Sequence, residues 1–128
     1  MPSWSEYKAT ARERGALAFE LYVAESTPMA SPDEVRETLP RHLEYQRKLE
    51  GEGKLFLAGP ISDETGEQMQ GTGLVIYRAE SLEDAKALAD ADPMHLENRR
   101  SYKLRRWLIN EGSPSFSTAL SRREVILG

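Results

Sequence analysis

One histidine of the sequence, His42, stands where acid–base chemistry would be possible. It lies seven residues after Val35 and directly before Leu43, at the edge of the apolar stripe of a predicted helix, so its ring should face a sheet. An imidazole titrates near neutral pH and can both take and give a proton. A neighbouring carboxylate would fix its tautomer and stabilise its charged form. The alternative is a structural histidine, buried or capping, that is bonded to the backbone.

Asp92 is the carboxylate suited to this supporting role. It precedes Pro93 in the turn after a second predicted helix, and the two crossover helices of the predicted fold lie side by side, so contact with His42 is possible. The alternative for Asp92 is an Asx turn that stabilises the Asp-Pro corner. His95 is expected to line the pocket mouth or to contact a substrate oxygen. His42, Asp92 and His95 together are the residue types of a two-histidine, one-carboxylate metal site. Such a site also requires the three side chains to meet in the right geometry, which sequence separation cannot supply, so no metal is predicted.

Two further side chains could bind the polar end of a substrate. Ser62 follows a Gly-Pro turn and Arg106 lies in the last predicted strand, and each is otherwise an ordinary loop or edge residue. Arg106 closes a basic run that begins at Arg99, which is either a solvated edge or part of a pocket for an anionic small molecule. The segment Gly71-Thr72-Gly73 precedes a strand and does not join a strand to a helix, so no phosphate loop is predicted.

The composition restricts the class of protein. The 128 residues suit one domain, and 39% hydrophobic with 30% charged residues predict a globular fold. A net charge of −4 gives no reason to expect nucleic-acid binding. Without cysteine, disulfides, thiolate metal sites and cysteine nucleophiles are excluded. The sequence has neither a signal-peptide pattern nor an apolar run that could span a membrane, so no membrane partner and a cytoplasmic location are expected.

Capping signals and hydrophobic periodicity predict the elements. Ser31 opens a helix through a capping box and a proline in its first turn, and Pro40 is expected to kink this helix. Ser81 caps a second helix. The predicted segments are, in chain order, a polar helix over 3–14, a strand over 17–23, a helix over 31–50, a strand over 55–58, a strand over 74–77, a helix over 82–90 and a strand over 102–109. The core order βαββαβ predicts a ferredoxin-like α+β protomer, in which two helices cover one face of a four-stranded antiparallel sheet.

The uncovered face of this sheet is expected to be an association surface. The candidates to populate it are Tyr22, Tyr77, Trp107 and Ile109. Tyr77 and Trp107 could instead stack on an aromatic substrate, but aromatic residues on strands are usually core or interface residues. An apolar sheet face of this size normally marks a contact with another molecule. A two-fold partner that offers the same face would cover it symmetrically, so a homodimer is predicted.

Three segments of the sequence resemble the YCII-related family, and the match covers most of residues 16–112. They are His42–Tyr45 continuing to Gly53–Pro60, Ser81–Ala85 continuing to Asp92–Pro93, and Arg106–Trp107. The resemblance implies a ferredoxin-like protomer that assembles into a dimeric α+β barrel over residues 16–112, with an N-terminal extension of residues 1–15 and a tail of residues 113–128. It also implies an active-site pair, which falls on His42 and Asp92.

What the resemblance implies about activity is broader. Most members have no assigned biochemical role, one removes chloride from a chlorinated hydroxyquinol, and related dimeric barrels include muconolactone isomerases and cofactor-free oxygenases. The expected function is cofactor-independent acid–base chemistry of the lyase or isomerase type on a small cyclic or aromatic-derived organic acid or hydroxyquinone. His42 would move the proton and Asp92 would orient the ring. The substrate would be held by His95, Arg106 or Ser62. The alternative is a non-catalytic homodimer that binds a small metabolite or assists a neighbouring enzyme.

Overall fold

A computed structural model describes residues 1–127 of the chain. Its elements are α1 (Trp4–Glu13), β1 (Phe19–Pro28), α2 (Pro32–Gly51), β2 (Leu55–Ser62), β3 (Met69–Tyr77), α3 (Leu82–Asp90), α4 (Pro93–Leu96), β4 (Arg100–Ile109), β5 (Phe116–Ala119) and β6 (Glu124–Leu127). Every predicted element is present, whereas α4 and the β5–β6 pair were not predicted. Within the described residues, no helix combines the length and the apolar character needed to cross a membrane.

The helices begin where the capping signals predict. Ser31 is the N-cap of α2, and its hydroxyl accepts a hydrogen bond from the backbone N–H of Glu34. The Glu34 carboxylate accepts one in return from the backbone N–H of Ser31, so two otherwise unpaired donors are satisfied. The start of α1 has the same arrangement. Helix α2 continues through Pro40 to Gly51, and His42 lies within this single helix of 20 residues.

Strands β1 to β4 form one sheet in the order β2-β3-β1-β4. Strand β3 pairs antiparallel with both β1 and β2. The connections that contain α2 and α3 therefore each cross over a neighbouring strand, which is the ferredoxin-like arrangement. The predicted α+β class with a four-stranded antiparallel sheet is confirmed.

The core lies between the sheet and helices α2 and α3. Tyr22 and Tyr77 are register partners on β1 and β3, and both belong to the buried cluster that includes Leu49, Ala85 and Ala89 of the two helices. The expectation that these tyrosines populate the uncovered face is wrong. The small alanine side chains of α3 leave room for large rings on the sheet face below them.

The opposite face of the sheet carries the side chains that alternate with this core. Val23 and Leu74 each adjoin a core residue of their strand and so point the other way. With Trp107 they line a shallow depression. Trp107 is 46% exposed and Leu57 on β2 is 59% exposed. We call Val23, Leu57, Leu74 and Trp107 the open sheet face. Ile109, the fourth candidate for this face, is half-buried at the end of β4.

The chain divides into two compact units. The larger, Glu20–Trp107, holds α2, α3, α4 and most of the four-stranded sheet. The other joins Met1–Phe19 to the chain from Leu108 onward. Within it, the backbone N–H of Leu17 donates to the carbonyl of Asn110 at 3.1 Å, and β5 pairs antiparallel with β6. The predicted division into residues 1–15, 16–112 and 113–128 stays a prediction.

Candidate active site

Helix α2 brings His42 to the carboxylate of Asp92, which lies in the turn between α3 and α4. The ring Nδ1 is 2.8 Å from Oδ1 and 2.9 Å from Oδ2 of Asp92. The side chain of Asp92 is 2% exposed and that of His42 is 17% exposed. An ionised carboxylate only accepts hydrogen bonds, so Nδ1 must carry the proton, and Nε2 of the neutral ring is left as an acceptor. The two residues therefore form an oriented imidazole–carboxylate pair.

Asp92 is also the N-cap of α4. Its backbone is extended, with φ −64° and ψ 125°, as expected before Pro93, and Oδ1 accepts a hydrogen bond from the backbone N–H of Met94 at 2.9 Å. The local capping role and the contact with His42 are thus both present. A carboxylate that is held by the backbone of its own turn fixes the orientation of the imidazole bound to it.

A cleft of about 330 Å³ opens beside this pair, between α2 and strands β2 and β3. Its lining combines two charged or titratable side chains with apolar side chains, small polar groups and glycine backbone: His42, Arg100, Val35, Leu39, Leu43, Gln46, Ser26, Ala58, Gly59, Pro60, Met69, Gly71, Thr72, Gly73, Leu74, Val75 and Met94. The volume lies at the lower end of the roughly 300–1,000 Å³ that is usual for ligand pockets. The cleft suits a compact, largely apolar molecule with one or two polar groups.

The negative charge of Asp92 acts on two tyrosines near the cleft. Burial, assisted by this charge, raises the pKa of Tyr45 to about 12, and the Tyr45 hydroxyl donates to the carbonyl of Leu88 at 2.7 Å. Burial and the same charge also raise the pKa of Tyr77 well above its ordinary value. Both phenols therefore stay protonated at neutral pH, and neither competes with His42 as a proton acceptor.

His95 is not part of the cleft lining. Its Nδ1 is 2.7 Å from the carbonyl oxygen of Ala89, and its Nε2 is 3.1 Å from Oγ of Ser26. Because both ring nitrogens are bound within the protein, His95 cannot complete a metal site with His42 and Asp92 while it keeps these bonds. Over residues 1–127 no cluster of three or more histidine, aspartate or glutamate side chains is arranged to hold a metal ion.

The structure does not bring Ser62 or Arg106 to the cleft. Ser62 is exposed, and its hydroxyl donates to the carbonyl of Asp63 at 2.8 Å. Nε of Arg106 lies 3.9 Å from the carboxylate of Glu20. Arg106 is also six residues along β4 from Arg100, which corresponds to roughly 20 Å of extended chain. Ser62 is the last residue of β2, which runs through Gly59 and Pro60, so the predicted turn and loop position are wrong. Arg106 lies on the edge strand β4.

Arg100 is a side chain of the cleft that the sequence did not single out. It is the first residue of β4 and lines the cleft together with His42. Its one signal in the sequence is strand alternation, which places it on the same face as Tyr102 and Leu104. Those two residues pack against the helical core. Without knowledge of which face of β4 is covered, the basic run shows no difference between Arg100 and its neighbours.

The sequence of the region that contains the cleft shows the family to which the chain belongs. The family model described as "YCII-related domain" matches residues 18–108, which is well over half of the chain. The chain belongs to the YCII-related domain family. The residues that form the cleft and the His42–Asp92 pair all lie inside this YCII domain.

Two similar proteins show how far this YCII chain resembles known ones. It is 29% identical over 76 residues to "Uncharacterized protein YjpA" of Bacillus subtilis (strain 168), a match that covers 59% of this chain and 82% of YjpA. Its structure is similar to that of 5-chloro-2-hydroxyhydroquinone dehydrochlorinase (TftG) from Burkholderia phenoliruptrix AC1100, solved in complex with 2,5-dihydroxybenzoquinone. The TM-score is 0.54 at 22% identity, covering 68% of this chain and 92% of TftG. This likeness supports the fold.

Proposed function

We propose that this YCII-family protein is a cofactor-independent acid–base enzyme of the lyase or isomerase type, acting on a small cyclic or aromatic-derived organic acid or hydroxyquinone. The supporting observation is the contact of His42 Nδ1 with Asp92 at 2.8 and 2.9 Å, which leaves Nε2 for a ligand in the cleft. A histidine whose tautomer is held by a buried carboxylate is suited to act as a general base. The residues of the site, from Ser26 to Arg100, all fall within the proposed domain of residues 16–112.

The reaction would centre on Nε2 of His42. Nε2 accepts a proton from a C–H or O–H group of the substrate, and the electron pair that remains is delocalised into an adjacent carbonyl or ring. In an isomerase, the imidazolium returns the proton to a different carbon. In a lyase, the electron pair expels a leaving group together with its bonding electrons, and the proton passes to solvent. In both cases the Asp92 carboxylate stabilises the imidazolium between the two steps.

The class of substrate is supported by the cleft and by the structural neighbour. The apolar side chains of the lining favour a compact hydrophobic body. TftG is named for its action on a chlorinated hydroxyhydroquinone and was solved with a dihydroxyquinone. We therefore propose hydroxyquinones and related cyclic organic acids as the first compounds to test as substrates.

Chloride release from 5-chloro-2-hydroxyhydroquinone tests this function. The compound is incubated anaerobically with the wild type, so that air oxidation does not consume it, and chloride is expected to appear in proportion to protein concentration. In parallel, small unsaturated organic acids are followed by NMR for exchange of carbon-bound protons with deuterated solvent. Saturable binding of these compounds without any turnover would contradict the enzyme and favour the second candidate, a non-catalytic homodimer that binds a small metabolite.

We further propose that the protein acts as a homodimer joined through the open sheet face. Leu57 and Trp107 are 59% and 46% exposed there, although large apolar side chains in one patch are costly to leave in water. A second copy offers the same patch, so one two-fold contact buries both. This arrangement leaves the cleft on the helical side of each sheet accessible to ligands.

A Trp107→Glu protein is expected to dissociate into monomers. The substitution places a charge within the proposed contact, where it would be buried without a partner of opposite charge. Sedimentation velocity should give twice the monomer mass for the wild type and the monomer mass for this variant. Arg47→Glu, on the exposed side of α2, is the control and should remain dimeric. A wild type that sediments as a folded monomer would rule out the dimer.

A further inference from the structure

Arg100 differs from the other arginines of the basic run because no carboxylate within residues 1–127 forms an ion pair with it. Nη1 of Arg99 lies 2.9 Å from Glu34, and Nη2 of Arg105 lies 3.0 Å from Glu25. The Arg100 side chain is half-buried, and its hydrogen bonds go to uncharged oxygens. Its positive charge is therefore left without a full counter-charge from the described chain.

The guanidinium of Arg100 is fixed in position by hydrogen bonds from Nε and Nη2. Nε donates to Oγ of Ser26 at 3.0 Å, and Nη2 donates to the carbonyl oxygens of Ser26, at 2.8 Å, and of Gly71. Gly71 has φ +91°, and a Cβ at this position would lie 2.8 Å from Cγ of Pro28. The backbone that holds Arg100 thus requires glycine. Nη1 makes no hydrogen bond within residues 1–127 and stays available to a ligand.

The charge of Arg100 is not neutralised by the carboxylate of the site. Asp92 is already bound to the ring of His42 and to the backbone N–H of Met94. Burial lowers the pKa of Arg100 below its ordinary value, and the charge of Asp92 opposes this change only through space. A guanidinium kept half-buried without a counter-charge is costly, and in clefts such groups typically serve to bind an anion.

We propose that Arg100 is the anion-recognition residue of the cleft, and that the ligand is a small, apolar-bodied organic acid whose anionic oxygen binds this guanidinium. The role of His42 in this binding mode rests on the proposed function. When the anionic oxygen of the ligand binds Arg100, the ligand group that loses its proton lies toward Nε2 of His42. Arg100 and His42 are the two charged or titratable side chains in the lining of this cleft, which also includes apolar side chains such as Val35, Leu39 and Leu43. A planar guanidinium can hold a carboxylate or an enolate oxygen by directed hydrogen bonds.

Isothermal titration calorimetry with paired acidic and neutral compounds tests this proposal. The acids are 2,5-dihydroxybenzoquinone, an enolate at neutral pH, and benzoate; their neutral counterparts are 2,5-dimethoxybenzoquinone and benzamide. The wild type should prefer at least one acid over its counterpart, and which acid it prefers separates enolate from carboxylate recognition. Arg100→Gln should weaken binding of the preferred acid by about 10- to 100-fold and leave binding of the neutral compounds unchanged.

Arg99→Gln is the matched control. It also removes one arginine charge, one residue away from Arg100, but Arg99 is already paired with Glu34. Its affinities should equal those of the wild type. If Arg100→Gln does not fold, Arg100→Lys replaces it, because it keeps the charge but loses the fork of donors, and weaker acid binding is again expected. Equal acid binding by wild type and Arg100 variants, or no preference of the wild type for either acid, would overturn the proposal.

The two proposals can fail separately. Binding is measured without turnover, so Arg100 can be established as the anion site even if no reaction is found. Conversely, a His42→Asn protein that turns over substrate as fast as the wild type would remove the proposed chemistry while leaving the acid preference of Arg100 intact.

Discussion

A His42→Asn protein is expected to fold like the wild type and to turn over its substrate roughly 10²–10⁴-fold more slowly. Asparagine places an amide N–H near the position of Nδ1, so Asp92 keeps a hydrogen-bond donor, but nothing replaces Nε2. The loss should therefore fall on kcat, with little change in KM, because the missing interaction belongs to proton transfer. Steady-state kinetics of chloride release from 5-chloro-2-hydroxyhydroquinone measures both constants.

Tyr45→Phe is the control for this variant. Tyr45 lies on the same helix, and the substitution removes the hydroxyl that donates to the carbonyl of Leu88 without changing the lining of the cleft. It should cost about 1 kcal/mol of stability and leave turnover close to that of the wild type. If His42→Asn retained more than roughly a tenth of the wild-type kcat, general-base catalysis by His42 would be contradicted.

An Asp92→Ala protein is expected to lose about 2–4 kcal/mol of the free energy of unfolding. The change removes the cap at the backbone N–H of Met94 and leaves the largely buried Nδ1 of His42 without its acceptor. Urea denaturation of the two proteins under identical conditions measures the difference. A loss below about 0.5 kcal/mol would show that the turn is stabilised in some other way.

Asp92→Asn separates the chemical role of this residue from its structural one. Asparagine caps helices as well as aspartate does, so α4 should stay in place and the cost in stability should be about 1 kcal/mol. A neutral amide stabilises the imidazolium of His42 far less than a carboxylate does, and turnover should still fall at least about 100-fold. Wild-type turnover by Asp92→Asn would reduce Asp92 to a helix cap.

The elements that position the site could be predicted because their signals are local. A serine cap such as Ser31 and an alternating strand depend on residues only a few positions apart. The contact between His42 and Asp92 spans 50 residues, and nothing near either residue indicates which turn reaches which helix. Their pairing was inferred from the family resemblance together with the fold.

One error concerns the face of a strand on which a residue lies. Alternation shows that Tyr22 has neighbours on the opposite face, but not which face the helices cover. Arg100 and Arg106 share one face of β4 by alternation, so the pattern could not tell them apart. They differ in position along the strand, and the structure places only Arg100 in the cleft. The position of His95 depends on its contact with Ser26, which is 69 residues away in sequence.

The tautomer of His42 provides the most direct test of the central claim, that Asp92 holds the ring so that an unprotonated Nε2 faces the cleft. The chain has two histidines, so a long-range proton–nitrogen correlation spectrum of histidine-labelled protein can be assigned with the His42→Asn variant. We predict that Nδ1 of neutral His42 carries the proton and that Nε2 has the chemical shift of a bare acceptor nitrogen. A proton on Nε2 instead would contradict the account.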